Sequence, residues 1–245
     1  MPGVMVTRGV QQRIPPGGLV ISLSGPSPPL VVELRLEVWL HWLALAVRAE
    51  QEAFAARLRL RQARTAGDQE NAGRALESEL QAGMQLACAS AFALDAIFDS
   101  TKTRLPPGLL PEWAWRQNHT SRPARIVETM RVASAMGPEE VQRAKQNVNI
   151  IFKWRDWAVH PEAAFKEPQW YPAADASVEW HFVAFRCENG RNILSAVLRL
   201  LGAFWSSARA KHPEILEWSA FCLGELSKLQ ADRSPWLSCA PVARQ

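Results

Sequence analysis

Only four cysteines punctuate the 245 residues: Cys88, Cys187, Cys222 and Cys239. They lie far apart and form no C-x-x-C pair, so zinc-finger spacing is missing and a disulfide framework is not expected in a chain this long. There is no Gly-rich phosphate loop, no G-x-S-x-G elbow and no H-E-x-x-H pair. Nucleotide hydrolysis, esterase and zinc-protease chemistry therefore lose their usual signatures. No uninterrupted apolar run reaches the roughly 18–20 residues needed to cross a bilayer. The longest candidate, Val38 to Val47, carries His41 and soon meets Arg48, Glu50 and Glu52. Pro15, Pro16 and Gly17 interrupt the N-terminus before a signal pattern can form,. These absences predict a cytoplasmic protein with no membrane segment, no metal and no cofactor. Tyrosine is scarce too, with 1 Tyr against 11 Trp and 9 Phe. Most of those indoles are expected at core corners and rims, where the ring packs and the N–H finds a partner.

What is present is ordinary globular material. Hydrophobic residues make up 48% and charged residues 21%, enough apolar surface for a real core,. The net charge of +4 and the isoelectric point near 9.1 are compatible with a polyanionic partner but do not diagnose one,. The pattern divides the chain into a Pro/Gly-rich arm at 1–37, a helical domain at 38–232 and a tail at 233–245.

In the arm, Leu19 to Leu23 is β-like, and Val32 to Val38 alternates with Glu33, Arg35 and Glu37. The two runs predict a hairpin turned at Pro26 to Pro29. The period then becomes helical. Val38, Trp42, Leu45, Ala49, Ala53, Ala56 and Leu60 mark an amphipathic helix to about Arg64, whose tail aligns Arg57, Arg61 and Arg64 on one face,. That stripe suits a phosphate backbone or a plain solvated face. A second helix runs from about Gln69 to Lys102, almost wholly apolar or small from Met84 to Phe98, and should sit centrally. Its one charge there, Asp95, is a satisfied core-edge acid or an orienting group. A loop holding Trp113 and Trp115 follows, then a third helix capped by Thr120 or Ser121 and ending at Gly137. Pro138 starts a fourth helix that Pro161 stops at His160. A strand at Val178 to Phe185 and helices at 189–211 and 214–230 complete the chain.

The fourth helix carries the chemistry. A helical wheel at about 100° per residue gathers Val141, Ala144, Val148, Ile151, Phe152, Ala158 and Val159 into one stripe with Arg155 at its centre,. A guanidinium there must be paired or line a cleft. Pro161 disfavours helical geometry at His160, which frees the imidazole to swing toward Arg155. Asp156, four residues before His160, is placed to accept a hydrogen bond from it and fix its tautomer.

The run Arg155-Asp156-Trp157-Ala158-Val159-His160 resembles the R-x4-6-H motif of the HEPN superfamily, in which a polar residue usually follows the arginine. The His-Pro ending and the near-continuous apolar helix two helices upstream are also similar to that family, over roughly residues 70–230. The resemblance implies a HEPN-like up-and-down helical bundle and a metal-independent endoribonuclease, often a toxin or defence factor, that dimerises so that two motifs share a cleft. Carried over, His160 would be the general base for a ribose 2′-OH, Arg155 would stabilise the phosphorane, and Asp156 would orient His160 or the phosphate's surroundings. The implied partners are RNA, a second copy of the chain and a nucleotidyltransferase-type antitoxin. The residue after the arginine is often Asn in that family, and Asp156 instead adds negative charge beside the phosphate site, for Arg155 or Lys153 to neutralise. The competing readings are a structural salt bridge from Arg155 with His160 as a cap, and a non-catalytic interaction or nucleic-acid-binding module.

Of the other histidines, His41 reads as a packed or rim residue and His212 as a helix-end cap. His181 has no evident partner. His119 lies in a loop with Arg116, Arg122 and Arg125, a basic and aromatic cluster that suits a nucleic-acid strand or plain solvent.

Overall fold

The computed structural model describes residues 7–14, 32–160, 165–209 and 212–238. The chain is mainly helical, with a small two-stranded hairpin at its start. Strand β1 (Val10–Arg13) pairs antiparallel with β2 (Glu33–Leu36), Val10 opposite Leu36. The expected Leu19 to Leu23 strand and the Pro26 to Pro29 turn lie outside the described residues. All four β2 residues are exposed. The alternation seen in the sequence therefore does not bury an apolar face. Its last acid, Glu37, is the member that enters the core.

Helices α1 (Val38–Thr65) and α2 (Gln69–Lys102) form an antiparallel hairpin around the turn at Gly67, whose φ of +72° suits a residue without a Cβ,. Asp68 caps α2 by accepting from the Asn71 N–H at 3.0 Å,. The apolar helix α2 sits centrally and packs against α1, α4 (Arg122–Ala133), α5 (Pro138–Val159), α6 (Trp180–Ala184) and α7 (Cys187–Ser206). By length and composition alone it could span a membrane, although no uninterrupted apolar run in it is that long; 56% of its most apolar window is buried inside the fold. Helix α8 (Pro213–Ser238) closes the bundle against α1 and α7.

Several elements differ from expectation for local reasons. The loop after Pro111 holds a short helix, α3 (Glu112–Gln117), because Trp115 buries against Phe98. Helix α4 ends at Ala133, where Ser134 pairs with Ala208 across an isolated bridge. The segment 178–185 is not a strand. Only Ala176–Val178 (β4) is extended, paired with Gln169–Tyr171 (β3), and the chain turns helical at Trp180 because Glu179 caps it. Helix α7 starts two residues early, at Cys187, and α8 continues to Ser238, burying Arg233 in what the sequence reads as a tail.

Buried charge fixes the register of the bundle. Glu37 accepts from the Trp39 indole at 3.0 Å and from Arg104, whose guanidinium also lies 4.5 Å from the Trp218 ring centre. Glu50 receives both forks of Arg233 at 2.6 Å. Arg57 is the third case, and it corrects the reading of its stripe: it is buried, not solvated. Its Nε donates to Glu79 at 3.0 Å, and its two terminal nitrogens reach Glu188 at 2.8 and 2.6 Å. Glu79 also accepts from the single tyrosine, Tyr171, at 2.8 Å and from the Cys187 backbone N–H at 2.7 Å. Burial alone would lower the Arg57 pKa, but the hydrogen bond and charge of Glu79 more than offset it and raise it overall,. Burial likewise raises Glu188, while Arg57 pulls it below the ordinary carboxylate range. Gly83 lets α2 approach closely here, since a Cβ would stand 2.0 Å from the Phe185 carbonyl oxygen,.

Removing Glu79 strands a buried guanidinium, so Glu79→Ala should cost about 3–5 kcal/mol in urea unfolding. A loss within the surface range of about 0.5 kcal/mol would show that the network is not structural. A carboxyl depressed in the folded state stabilises above its unfolded pKa and loses that contribution as pH falls through the folded value. The stability gap between wild type and Glu188→Gln should therefore be full at neutral pH and close below about pH 4. Thermal melts across that range decide it; a gap that stays constant would mean Glu188 is not held by Arg57.

Candidate functional site

Helix α5 begins where Glu140 accepts from the Gly137 N–H at 2.7 Å and Pro138 occupies the first turn,. It buries Ala144, Val148, Ile151, Phe152 and Ala158, five members of the stripe read from the sequence. Val159 is exposed. Arg155 stands at the edge of that stripe and not at its centre, with 28% of its side chain accessible. The guanidinium carbon lies 4.9 Å from the Phe152 ring centre, so one face is covered by an aromatic and the edge is open,. Across the helix interface it influences Cys88 of α2: burial raises that thiol's pKa and the Arg155 charge opposes the rise.

Asp156 is bound to Arg155, not to His160. Its Oδ1 accepts from Arg155 Nε at 3.0 Å and from a terminal nitrogen at 2.5 Å. The added negative charge is thus neutralised by Arg155, and Lys153 lies instead over the Trp157 ring at 4.9 Å. His160 caps the helix with φ −125° and ψ 72°, outside the helical region, and its backbone N–H donates to the Asp156 carbonyl at 2.8 Å. The last turn does open at His160, as a residue before proline favours. Among the described residues its exposed imidazole bonds to neither Asp156 nor Arg155. The expected tautomer-fixing contact is not made, because the adjacent guanidinium is the stronger partner for the carboxylate. Pro161 itself lies outside the described residues.

Beneath this turn lies an aromatic shelf. Trp154 meets Trp157 at 5.5 Å and Phe185 edge-on at 5.4 Å, and Trp157 meets Trp180 edge-on at 5.5 Å,. His181 packs on Trp180 at 3.7 Å, with Nδ1 2.9 Å from the Glu179 carboxylate. Its Nε2 is shielded from solvent and makes no hydrogen bond among the described residues. This oriented His–Glu pair is the group that reading the sequence missed. Two residues apart, Glu179 and His181 share a face even in the strand expected there, so the spacing was the available signal.

The remaining candidates resolve locally. Asp95 pairs with Arg122 at 2.5 Å, the satisfied-acid reading. Arg125 donates to the Thr120 carbonyl at 2.8 Å, while His119 is exposed at φ +47°. His41 is exposed, and His212 is buried ahead of α8, not at the end of α7. Cys88, Cys187 and Cys222 are free thiols. Among the described residues, no three His, Cys, Asp or Glu side chains are grouped to hold a metal ion.

The proximity of Arg155 and Cys88 is testable. With the other three cysteines replaced by serine, the pH at which Cys88 becomes reactive to a maleimide should move upward in Arg155→Met. An unchanged profile would separate the two groups. Set against known proteins, the chain matches no family model, no curated protein and no solved structure.

Proposed function

We propose that the chain is a HEPN-like helical bundle acting as a metal-independent endoribonuclease, of the kind that serves as a toxin or defence factor in the cytoplasm. The observation that carries this reading is the open last turn of α5. There a half-buried arginine is held by Asp156 over Phe152, five residues before an exposed histidine freed from helical geometry. Two copies facing one another would bring both motifs to one cleft, and a nucleotidyltransferase-type antitoxin would suit that surface as an inhibitor.

In this mechanism His160 takes the proton of a ribose 2′-OH, whose oxygen attacks the adjacent phosphorus. The bond from phosphorus to the 5′-oxygen breaks, and that oxygen takes a proton from the second copy's protonated imidazole, which is left neutral. The products are a 2′,3′-cyclic phosphate and a 5′-hydroxyl. Arg155 stabilises the charge on the phosphorane oxygens, and Asp156 positions the guanidinium. A second reading, a non-catalytic nucleic-acid-binding or interaction module, is favoured by one contact: the Asp156 carboxylate occupies the fork that would receive the phosphate.

The pure protein, incubated with RNA in excess chelator, should yield 2′,3′-cyclic phosphate ends. His160→Ala should slow cleavage by about 10²–10⁴-fold, and Arg155→Ala by about 10²–10³-fold. Undiminished cleavage in both variants would overturn the catalytic assignment. RNA binding without any cleavage by wild type would select the second reading.

A further inference from the structure

A groove of about 810 Å³ opens at the other end of the Arg57 network, between the tail of α1, the β3–β4 turn and the start of α7. Four arginines line it: Arg57, Arg61, Arg64 and Arg186. Arg57 forms the floor, with its guanidinium carbon 4.9 Å from the Tyr171 ring centre. The other three are weakly engaged. Arg61 is exposed and makes no ion pair among the described residues. Arg64 reaches Gln69 and Asp175 only at 3.4 Å each, and Arg186 reaches Glu188 only at 3.9 Å. The Nε atoms of Arg64 and Arg186 are both shielded from solvent and have no hydrogen-bond partner among the described residues. Buried N–H groups that donate to nothing are costly, and these belong to cations facing one opening.

The groove already holds a planar anion. The Glu188 carboxylate sits bidentately on the two terminal nitrogens of Arg57, with half of its side chain open to solvent. That is the fork-to-fork geometry with which arginine also grips phosphate. We infer that this groove is a binding site for a phosphate-bearing ligand, in which the phosphate displaces Glu188 from Arg57 and engages Arg61, Arg64 and Arg186. Glu79 stays in place, held by Tyr171 and the Cys187 N–H, so Arg57 remains compensated during the exchange. The rim carboxylate of Asp175 is mostly exposed and swings clear with its Arg64 contact. The site stands apart from Arg155 and His160 and does not depend on the nuclease reading.

The test uses the full chain with two probes: pyrophosphate by calorimetry, and a labelled single-stranded DNA oligonucleotide by anisotropy. DNA lacks the 2′-OH, so the nuclease chemistry proposed for α5 cannot destroy the probe. Arg61→Ser with Arg64→Ser, both away from the buried network, should weaken binding by about tenfold or more per lost contact. Glu188→Gln should tighten it by removing the competing anion. Pyrophosphate that binds and displaces the oligonucleotide identifies a nucleic-acid backbone; pyrophosphate binding alone identifies a small phosphorylated ligand. For the oligonucleotide, the salt slope should fall by about 1.4 when the two contacts are lost. The inference is overturned if the double variant, folded by circular dichroism, keeps wild-type affinity for both probes, if Glu188→Gln weakens binding, or if neither probe binds wild type.

Discussion

A charge taken out of water must meet its counter-charge, and α1 imposes that condition at three heights of the bundle. Glu37 at its start requires Arg104, Glu50 in its middle requires Arg233, and Arg57 near its end requires Glu79 and Glu188. The partners come from the segment after α2, from α8, and from α2 with α7. Buried ion pairs contribute little net stability against apolar packing, because desolvation cancels much of the attraction. Their effect is on arrangement. A slip of one helical turn, about 5.4 Å, would strand all three.

The same condition explains which parts of the fold were legible in the sequence. Long helices announce themselves by period, and α1, α2 and α5 lie within a residue or two of their expected limits. Short elements do not. Helix α3 and the 169–184 segment are decided by tertiary burial of Trp115, Tyr171 and Trp180, which no local pattern carries. The arginine stripe of α1 is the clearest case. A helical wheel places Arg57, Arg61 and Arg64 together, but says nothing of Glu79 and Glu188, one helix and several helices away, which draw only Arg57 inside.

The α5 site divides along the same line. The end of α5 at His160 was legible from the proline that follows it, whereas Arg155 lies at the edge of the apolar stripe and not at the centre its helical wheel gave it. The destination of the Asp156 carboxylate depends on competition between an imidazole and a guanidinium for one acceptor, and the cation one residue away wins. The aromatic shelf was unforeseen for a different reason: it is assembled from α5, α6 and Phe185, which ends α6, so its period exists only in space.

Glu50 and Arg233 lie 183 residues apart, yet among the described residues they meet fork to fork at 2.6 Å, while Arg191 reaches Glu50 only at 3.7 Å. Evolution at either position is consequently not free to proceed one step at a time. An acid without its base, or the reverse, passes through a crippled intermediate, whereas a joint change to two apolar side chains of matched bulk would be tolerated. In relatives of this chain, those two distant columns should therefore vary together or not at all.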